Sequence, residues 1–305
     1  MLLDSASLYF RSFYGVKGEV VSPQGEPVNA VRGFLDTIAY LVSTRRPARL
    51  VCCWDEDWRP AFRVAAIPSY KAHRATFPGG DVELVPDELA PQIPVIVEAL
   101  ELLGLCRTGA AGYEADDVIG TLVAQEVTAG RSPVEVVTGD RDMFQVVDDA
   151  AGVTVVYVGK GVRNAEVVDQ AWLRAKYGVP DGRGYADLAV LRGDPSDGLP
   201  GVAGIGEKTG AGLLSRFGDL DGLLAAVADP ATDLSPAQRR KLVEAADYLA
   251  VAPAVVRVAP DAPVEATLDD DTLPDTPPDH TALVAFAERW GLNSSVTRVV
   301  QALGR

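Results

Sequence analysis

Apolar and polar positions follow two rhythms along this chain. Short apolar or β-branched runs at Leu2-Leu3, 50–54, 134–137 and 153–158 have the length and residue types of buried strands. Between them apolar positions fall three and four apart. Val31, Phe34, Leu35, Ile38 and Leu41 predict an amphipathic helix over 29–43. Helical spacing also marks 87–103 and the segment opening at Glu114, while 20–27 reads as a turn-rich hairpin. This alternation predicts an α/β fold with a mostly parallel central sheet flanked by helices. From about residue 180 the strand signals stop, and 206–217, 220–227, 236–249 and 281–291 predict helices. The expected division is 1–180 for the sheet part and 181–305 for a helical part, with the Pro- and Asp-rich stretch 259–279 as a linker or surface loop. Residues 59–85, polar, basic and broken by Pro68, Pro78, Gly79 and Gly80, are expected to leave the core as a mobile excursion.

Carboxylates punctuate this pattern. Asp4, Asp55, Asp140 and Asp194 each follow an apolar run, and Glu114, Asp116 and Asp117 open an apolar helix. A strand ending in Asp delivers its carboxylate to one edge of a parallel sheet, where α/β proteins build their sites. Each acid also has a plainer reading. Acids in a first helical turn gain from the macrodipole without any ligand. Asp140-Arg141-Asp142 and Asp194-Pro195-Ser196-Asp197 fit Asp-capped turns. Glu114 and Asp117 share a helix face but Glu114 and Asp116 do not, so all three reach one centre only if Glu114 sits at or before the helix start. Converging acids require compensating cations. Hard oxygen ligands without His or Cys select Mg²⁺ or Mn²⁺ over zinc. The two histidines, His73 and His280, belong to no ligand cluster.

Charge refines the picture. A net charge of −15 argues against nucleic-acid binding through an overall basic surface. Yet 59–74 carries Arg59, Arg63, Lys71 and Arg74 with no acid among them, and 261–279 carries acids with no Lys or Arg. No apolar run approaches bilayer length, and the N-terminus lacks signal-peptide features, so a cytoplasmic protein is expected. Cys52, Cys53 and Cys106 are expected to be buried thiols, not disulfides.

The stretch from Leu199 through Gly201, Gly204, Gly206, Lys208 and Thr209 is the second informative motif. It follows no predicted strand, as a dinucleotide fingerprint must, and Glu207 separates its last glycine from Lys208-Thr209, unlike a P-loop. Gly204-Ile205-Gly206 opening a helix looks like a helix–hairpin–helix turn. Glycines there let backbone approach a phosphate, and helix N–H groups bind it without reading sequence. A flexible interhelical turn is the plainer reading.

Taken together, Leu3-Asp4-Ser5, Trp54-Asp55, Tyr70-Lys71-Ala72-His73-Arg74, Tyr113 to Asp117, Thr138 to Gln145 and Gly193 to Thr209 resemble the 5′-nucleases of bacterial DNA polymerase I type, or flap endonucleases. The resemblance covers nearly the whole chain, and no polymerase domain follows, so a stand-alone monomeric member is expected. It implies a structure-specific 5′-3′ exonuclease and flap endonuclease that cuts DNA by a two-metal mechanism in primer removal and repair. Its partners would be DNA with a 5′ flap, 5′ end, nick or RNA primer–DNA junction, and no membrane. It further implies a helical arch at about 59–85 and a helix–two-turn–helix at about 190–227. Asp4, Asp55, Glu114 and Asp116 would surround one Mg²⁺ or Mn²⁺. Asp140, Asp142, Asp194 and Asp197 would serve a second, with Asp116 or Asp117 shared and room in the scheme for a third ion. Lys71 and Arg74 would act on the scissile phosphate. Arg63 and the Gly201, Gly204, Gly206, Lys208 and Thr209 loop would bind DNA, with Arg216, Arg239, Arg240 and Lys241 assisting. Backbone carbonyls at Val202 and Ile205 would hold K⁺. Gly198 departs from the Asn usual in bacterial relatives. Other classes fit less well. A non-catalytic scaffold would have lost core acids, an Asp-nucleophile phosphatase needs an acid where Ala6 stands, and small ribonucleases lack the hairpin.

Overall fold

The computed structural model describes residues 1–18, 20–77, 80, 82–264 and 271–304. The arch breakers Pro78 and Gly79 and the acids Glu265, Asp269 and Asp270 lie outside the described residues. Six strands form one sheet: β1 (Leu2–Asp4), β2 (Val51–Cys53), β3 (Cys106–Thr108), β4 (Val134–Thr138), β5 (Val153–Tyr157) and β6 (Glu166–Val168). Their order is β3-β2-β1-β4-β5-β6, parallel except that β6 runs antiparallel to β5. β1 sits centrally, with Leu3 opposite Cys52 on one side and Val137 on the other. The chain's direction of winding reverses between β1 and β4. Open α/β sheets bind ligands beyond the strand C-termini at such a point.

The helices are α1 (Ser5–Gly15), α2 (Asn29–Arg45), α3 (Ala61–Ala66), α4 (Gln92–Leu103), α5 (Ala115–Thr128), α6 (Gln170–Tyr177) and α7 (Gly182–Arg192). They continue with α8 (Glu207–Phe217), α9 (Leu220–Ala228), α10 (Pro236–Glu244), α11 (Ala246–Val256), α12 (His280–Trp290) and α13 (Asn293–Leu303). Both sheet faces are covered, which explains the largely apolar central strands. Leu2, Val51 and Val136 pack on the α5 side, whereas their chain neighbours Leu3, Cys52 and Val137 pack with Phe34, Ile38, Leu100 and Phe286 on the other. Cys52 and Cys53 are buried thiols, as expected. No helix among the described residues is long and apolar enough to cross a membrane.

Three features differ from the sequence reading. The expected helix 236–249 divides at Ala245 into α10 and α11. The last two helices return to the sheet, with Leu283, Phe286, Val296 and Val299 in one core with residues of α2 and α4, a packing that helical spacing does not predict. Within the acidic stretch, Asp271 is buried and ion-paired to Arg49 at 2.7 Å, and Thr272 bridges to Arg49 beside β2. That part is an edge of the fold, because its buried acid is paired to the half-buried Arg49.

Candidate active site

Local folding rules bring the acids together. Asp4 ends β1 and caps α1, accepting from Ser7 N–H at 3.1 Å, while its other oxygen accepts from Thr138 Oγ1 at 2.5 Å across the β1–β4 junction. Asp55 follows β2 and accepts from Ala115 N–H at 2.8 Å, tying it to the start of α5. Glu114 is the residue before α5, in extended backbone (φ −83°, ψ 162°), which frees it from the helical phase. Glu114 and Asp116 thereby face one cleft despite standing two apart.

That cleft, about 340 Å³, is lined by Asp4, Asp55, Glu114, Asp116 and Asp140, with Lys71, Arg74 and Glu83 above them. A second, narrower cavity holds Asp142, Asp194 and Asp197 and again Glu114 and Asp116. The two acids at the start of α5 therefore join both groups. Asp140 stands with the first set and Asp142 with the second, unlike the expected grouping of Asp140 with Asp142, Asp194 and Asp197. Two acids separated by one residue leave a tight turn in different directions, and Asp140 is held by Thr138 Oγ1 at 2.8 Å from its N–H.

Electrostatics reflect the crowding. Burial, then the charges of Asp55 and Asp140, push the Asp4 carboxyl up to about 7 despite its hydrogen bonds. Burial and the charges of Asp140, Asp197 and Asp194 push Asp142 up to about 8. Burial and the charges of Asp4, Asp140 and Glu114 raise Asp116 well above the carboxylate range. Burial raises Asp55, Asp197 and Glu83 as well. For Lys71 burial alone would lower the ammonium, but Glu114, Tyr70 and Asp197 together outweigh it and hold it well up. Lys71 Nζ contacts Glu114, whose other oxygen accepts from Tyr70 Oη at 2.7 Å. Arg74 Nη2 contacts Asp197 at 2.5 Å. Among the described residues no three of these acids form one ready ligand shell. The donor set is nonetheless oxygen-only, crowded and short of countercharge, which suits hard divalent cations.

Two expected site residues are committed to the core, although Arg63 also borders the second cavity, 3.3 Å from Glu114. Asp117 is fully buried, its oxygens taken by Arg63 at 2.6 and 2.7 Å and by Ala259 N–H at 2.8 Å. It lines neither cavity as a ligand because, as the third residue of α5, it points to the core side. Arg63 is 3% exposed and also donates to the Val255 carbonyl at 2.9 Å, so it is a core cation and not a DNA contact. The arch is correspondingly less detached than expected, since Arg63, Ile67 and Tyr70 are all buried.

In the hairpin, Gly201 has φ +64°, and a Cβ there would lie 2.5 Å from the backbone of Arg192 and Gly193, so two chain segments cross where only glycine fits. Val202 and Ile205 are core residues under the loop, and the Val202 carbonyl accepts from Ile205 N–H at 2.9 Å. The Gly204 carbonyl accepts from Lys241 Nζ at 2.9 Å. Gly206 precedes α8 without a side-chain cap, and Lys208 and Thr209 are exposed beside it. Arg216 and Arg239 are committed to Asp233 and to carbonyls around Ala226, unlike the expected DNA contacts.

Sequence reasoning missed several contributors. Phe10, Trp58 and Glu83 line the first cleft, and Gln145 braces the second, donating to the Asp142 and Val256 carbonyls at 2.9 and 3.1 Å. Only Gln145, following the Asp140–Asp142 turn, carried a local signal.

An acidic oxygen centre at the switch point of a parallel sheet, overlain by cations, defines a phosphate-processing α/β protein. Residues 1–178 match the family described as 5′-3′ exonuclease, N-terminal resolvase-like domain, and 181–280 match 5′-3′ exonuclease, C-terminal SAM fold. A 5′-3′ exonuclease of Streptomyces coelicolor is 59% identical, with 99% of each chain covered. One from Mycobacterium tuberculosis is 50% identical, covering 99% of this chain and 97% of that protein. Among solved structures, the bacteriophage T5 flap endonuclease in a pseudo-enzyme–product complex with DNA and metal ions shares the fold, with TM-score 0.65, 18% identity and 100% and 99% coverage. The chain belongs to the 5′-3′ exonuclease family of nucleases.

Proposed function

We propose that this chain is a structure-specific 5′ nuclease that removes 5′ ends, flaps and primer segments from DNA in replication and repair, acting as a monomer in the cytoplasm. The observation that carries the reading is the sharing of Glu114 and Asp116 between two acid groups beneath Lys71 and Arg74. Two divalent cations, Mg²⁺ or Mn²⁺, with a third allowed by the number of acids, are the group this arrangement fits. Asp4, Asp55, Glu114, Asp116 and Asp140 would hold one, and Asp142, Asp194 and Asp197, with Glu114 or Asp116, another. When bound, such ions activate water and stabilise the departing 3′-oxygen.

The chain's own residues do the rest. Thr138, Ala115 N–H and Tyr70 fix the acids' orientation before substrate arrives. Lys71 and Arg74 shift from carboxylates to the scissile phosphate and offset charge gathering on its oxygens. The uncapped start of α8, with Lys208, Thr209 and Lys241, grips duplex phosphates without reading bases. Gly201, Gly204 and Gly206 let that backbone come close. Residues 1–180 would supply the cutting centre and the helices near 190–227 the duplex grip, with the Val202 and Ile205 carbonyls as the K⁺ ligands.

The deciding experiment offers a 5′-labelled flap duplex with Mg²⁺ or Mn²⁺ to wild type and to Asp140→Asn. Metal-dependent cleavage near the junction by wild type, and its loss in the variant, is expected. No cleavage by wild type, or equal cleavage by the variant, overturns the reading.

A further inference from the structure

Gly198 closes the turn that carries Asp194 and Asp197, with φ +72°. A Cβ at this position would lie 2.1 Å from the Ser69 carbonyl oxygen and 2.9 Å from its carbon, far inside any real contact. The arch base is thus seated against the one residue of the turn that has no side chain. Three further contacts hold it there. Ser69 Oγ donates to the Gly198 carbonyl at 2.7 Å, Lys71 N–H donates to the Asp197 carbonyl at 2.9 Å, and Arg74 Nη2 donates to the Ser196 carbonyl at 3.0 Å. Lys71 itself takes the left-handed conformation (φ 47°), which is uncommon for a residue with a side chain. Its ammonium is thereby placed on Glu114, and Arg74 on Asp197.

We propose that Gly198 is the seat on which the arch base docks, and that docking holds Lys71 and Arg74 on Glu114 and Asp197 as internal countercharges. The chain then rests in a partly neutralised state, which divalent cations and substrate phosphate open together. Gly198 is a positioning residue in this scheme, acting through the two cations that it lets settle on the acids. Docking rests on the Gly198 contact and these three hydrogen bonds. Its consequence for cations rests on the function proposed above.

Gly198→Asn tests it, because Asn tolerates the left-handed region while adding the clashing Cβ. Amide hydrogen exchange at Lys71 is expected to accelerate roughly tenfold or more, with Val136 and Val137 in the central sheet unchanged. Without DNA, calorimetric Mn²⁺ binding is expected to tighten several-fold, because the carboxylates lose their internal competitors. A merely structural defect would weaken it. Unchanged exchange at Lys71, or Mn²⁺ binding equal or weaker with the arch base released, overturns the proposal. If the central amides of Gly198→Asn lose protection as well, Ser69→Ala decides. It adds no atom, removes one docking bond, and should speed Lys71 exchange roughly threefold to tenfold, and no change there overturns the proposal. Failure of wild type to bind Mn²⁺ at all would count against the metal centre, leaving exchange to judge the docking.

Discussion

Arg63 and Asp117 form a two-pronged ion pair, at 2.6 and 2.7 Å, inside the core between α3 and α5. Both side chains are almost wholly sealed from solvent, 3% and 0% exposed. The pair fastens the arch root to the helix that presents Glu114 and Asp116, and Asp117 also reaches the Glu114 N–H at 3.3 Å. Stranding one charge of a buried pair costs about 3–5 kcal/mol. Arg63→Met should therefore lower Tm by roughly 10 °C, whereas the fully exposed charge of an ordinary DNA contact would leave Tm almost unchanged. Differential scanning calorimetry measures this. A neutral Tm effect paired with weakened DNA binding would return Arg63 to a substrate-contact role.

The acid centre should make the metal-free protein sensitive to rising pH. Burial and neighbouring acids raise Asp4 to about 7 and Asp142 to about 8, above the unfolded value near 3.9. A carboxyl raised on folding contributes stability that is complete below its unfolded pKa and lost as pH climbs through the folded one. In EDTA, Tm should then fall between pH 5 and pH 8.5, on the order of 5 °C. Mg²⁺ or Mn²⁺ should restore it, and by more at pH 8 than at pH 6. A thermal scan across pH with and without cation reads both effects, and a flat EDTA profile would contradict the crowding.

The parts of this architecture written in local chemistry were legible. Val134, Val136 and Val137 are β-branched because both sheet faces are covered, with Glu135 between them held by Arg45, and Asp4 follows Leu2-Leu3 because it ends β1 and caps α1. Three-residue strands such as β3 and β6 carry too few positions for a periodic signal, so their pairing is decided by the strand beside them, which for β3 is β2, more than 50 residues earlier. The acids announced themselves by position, but not by partner. Whether Asp117 faced a cleft or the core depended on Arg63, 54 residues earlier, closing over it. Likewise Asp140 and Asp142 could be divided between two groups only once α7 and the Asp194 turn had been folded against them. Glu83 and Trp58 enter the cleft through the path of the arch, which no spacing in the sequence encodes.

Lys71 should matter to the chemical step more than to substrate capture. Its ammonium is the cation nearest the shared carboxylate Glu114, and it is 12% exposed, so it is already desolvated and aimed. Losing one such preorganised charge costs roughly 10²-fold or more in kcat. Lys71→Ala is expected to show that loss with KM changed by less than tenfold in single-turnover and steady-state assays on a flap duplex. A large KM rise with kcat intact would mean that Lys71 serves to bind the strand and not to stabilise the transition state.

Lys241 offers the complementary test at the far end of the proposed grip. Its ammonium bonds the Gly204 carbonyl at 2.9 Å and sits beside the uncapped start of α8, so it pins the hairpin and adds positive charge where phosphates would approach. A single phosphate contact contributes about one unit to the slope of log Kd against log salt concentration. Lys241→Ala should therefore lower that slope by about 1 and weaken duplex binding at low salt, equally for unrelated sequences, since phosphates carry no base information. Lys241→Arg should recover much of the slope. Fluorescence anisotropy over a salt series separates the outcomes: a lower affinity with an unchanged slope would mean that Lys241 only braces the Gly204 loop.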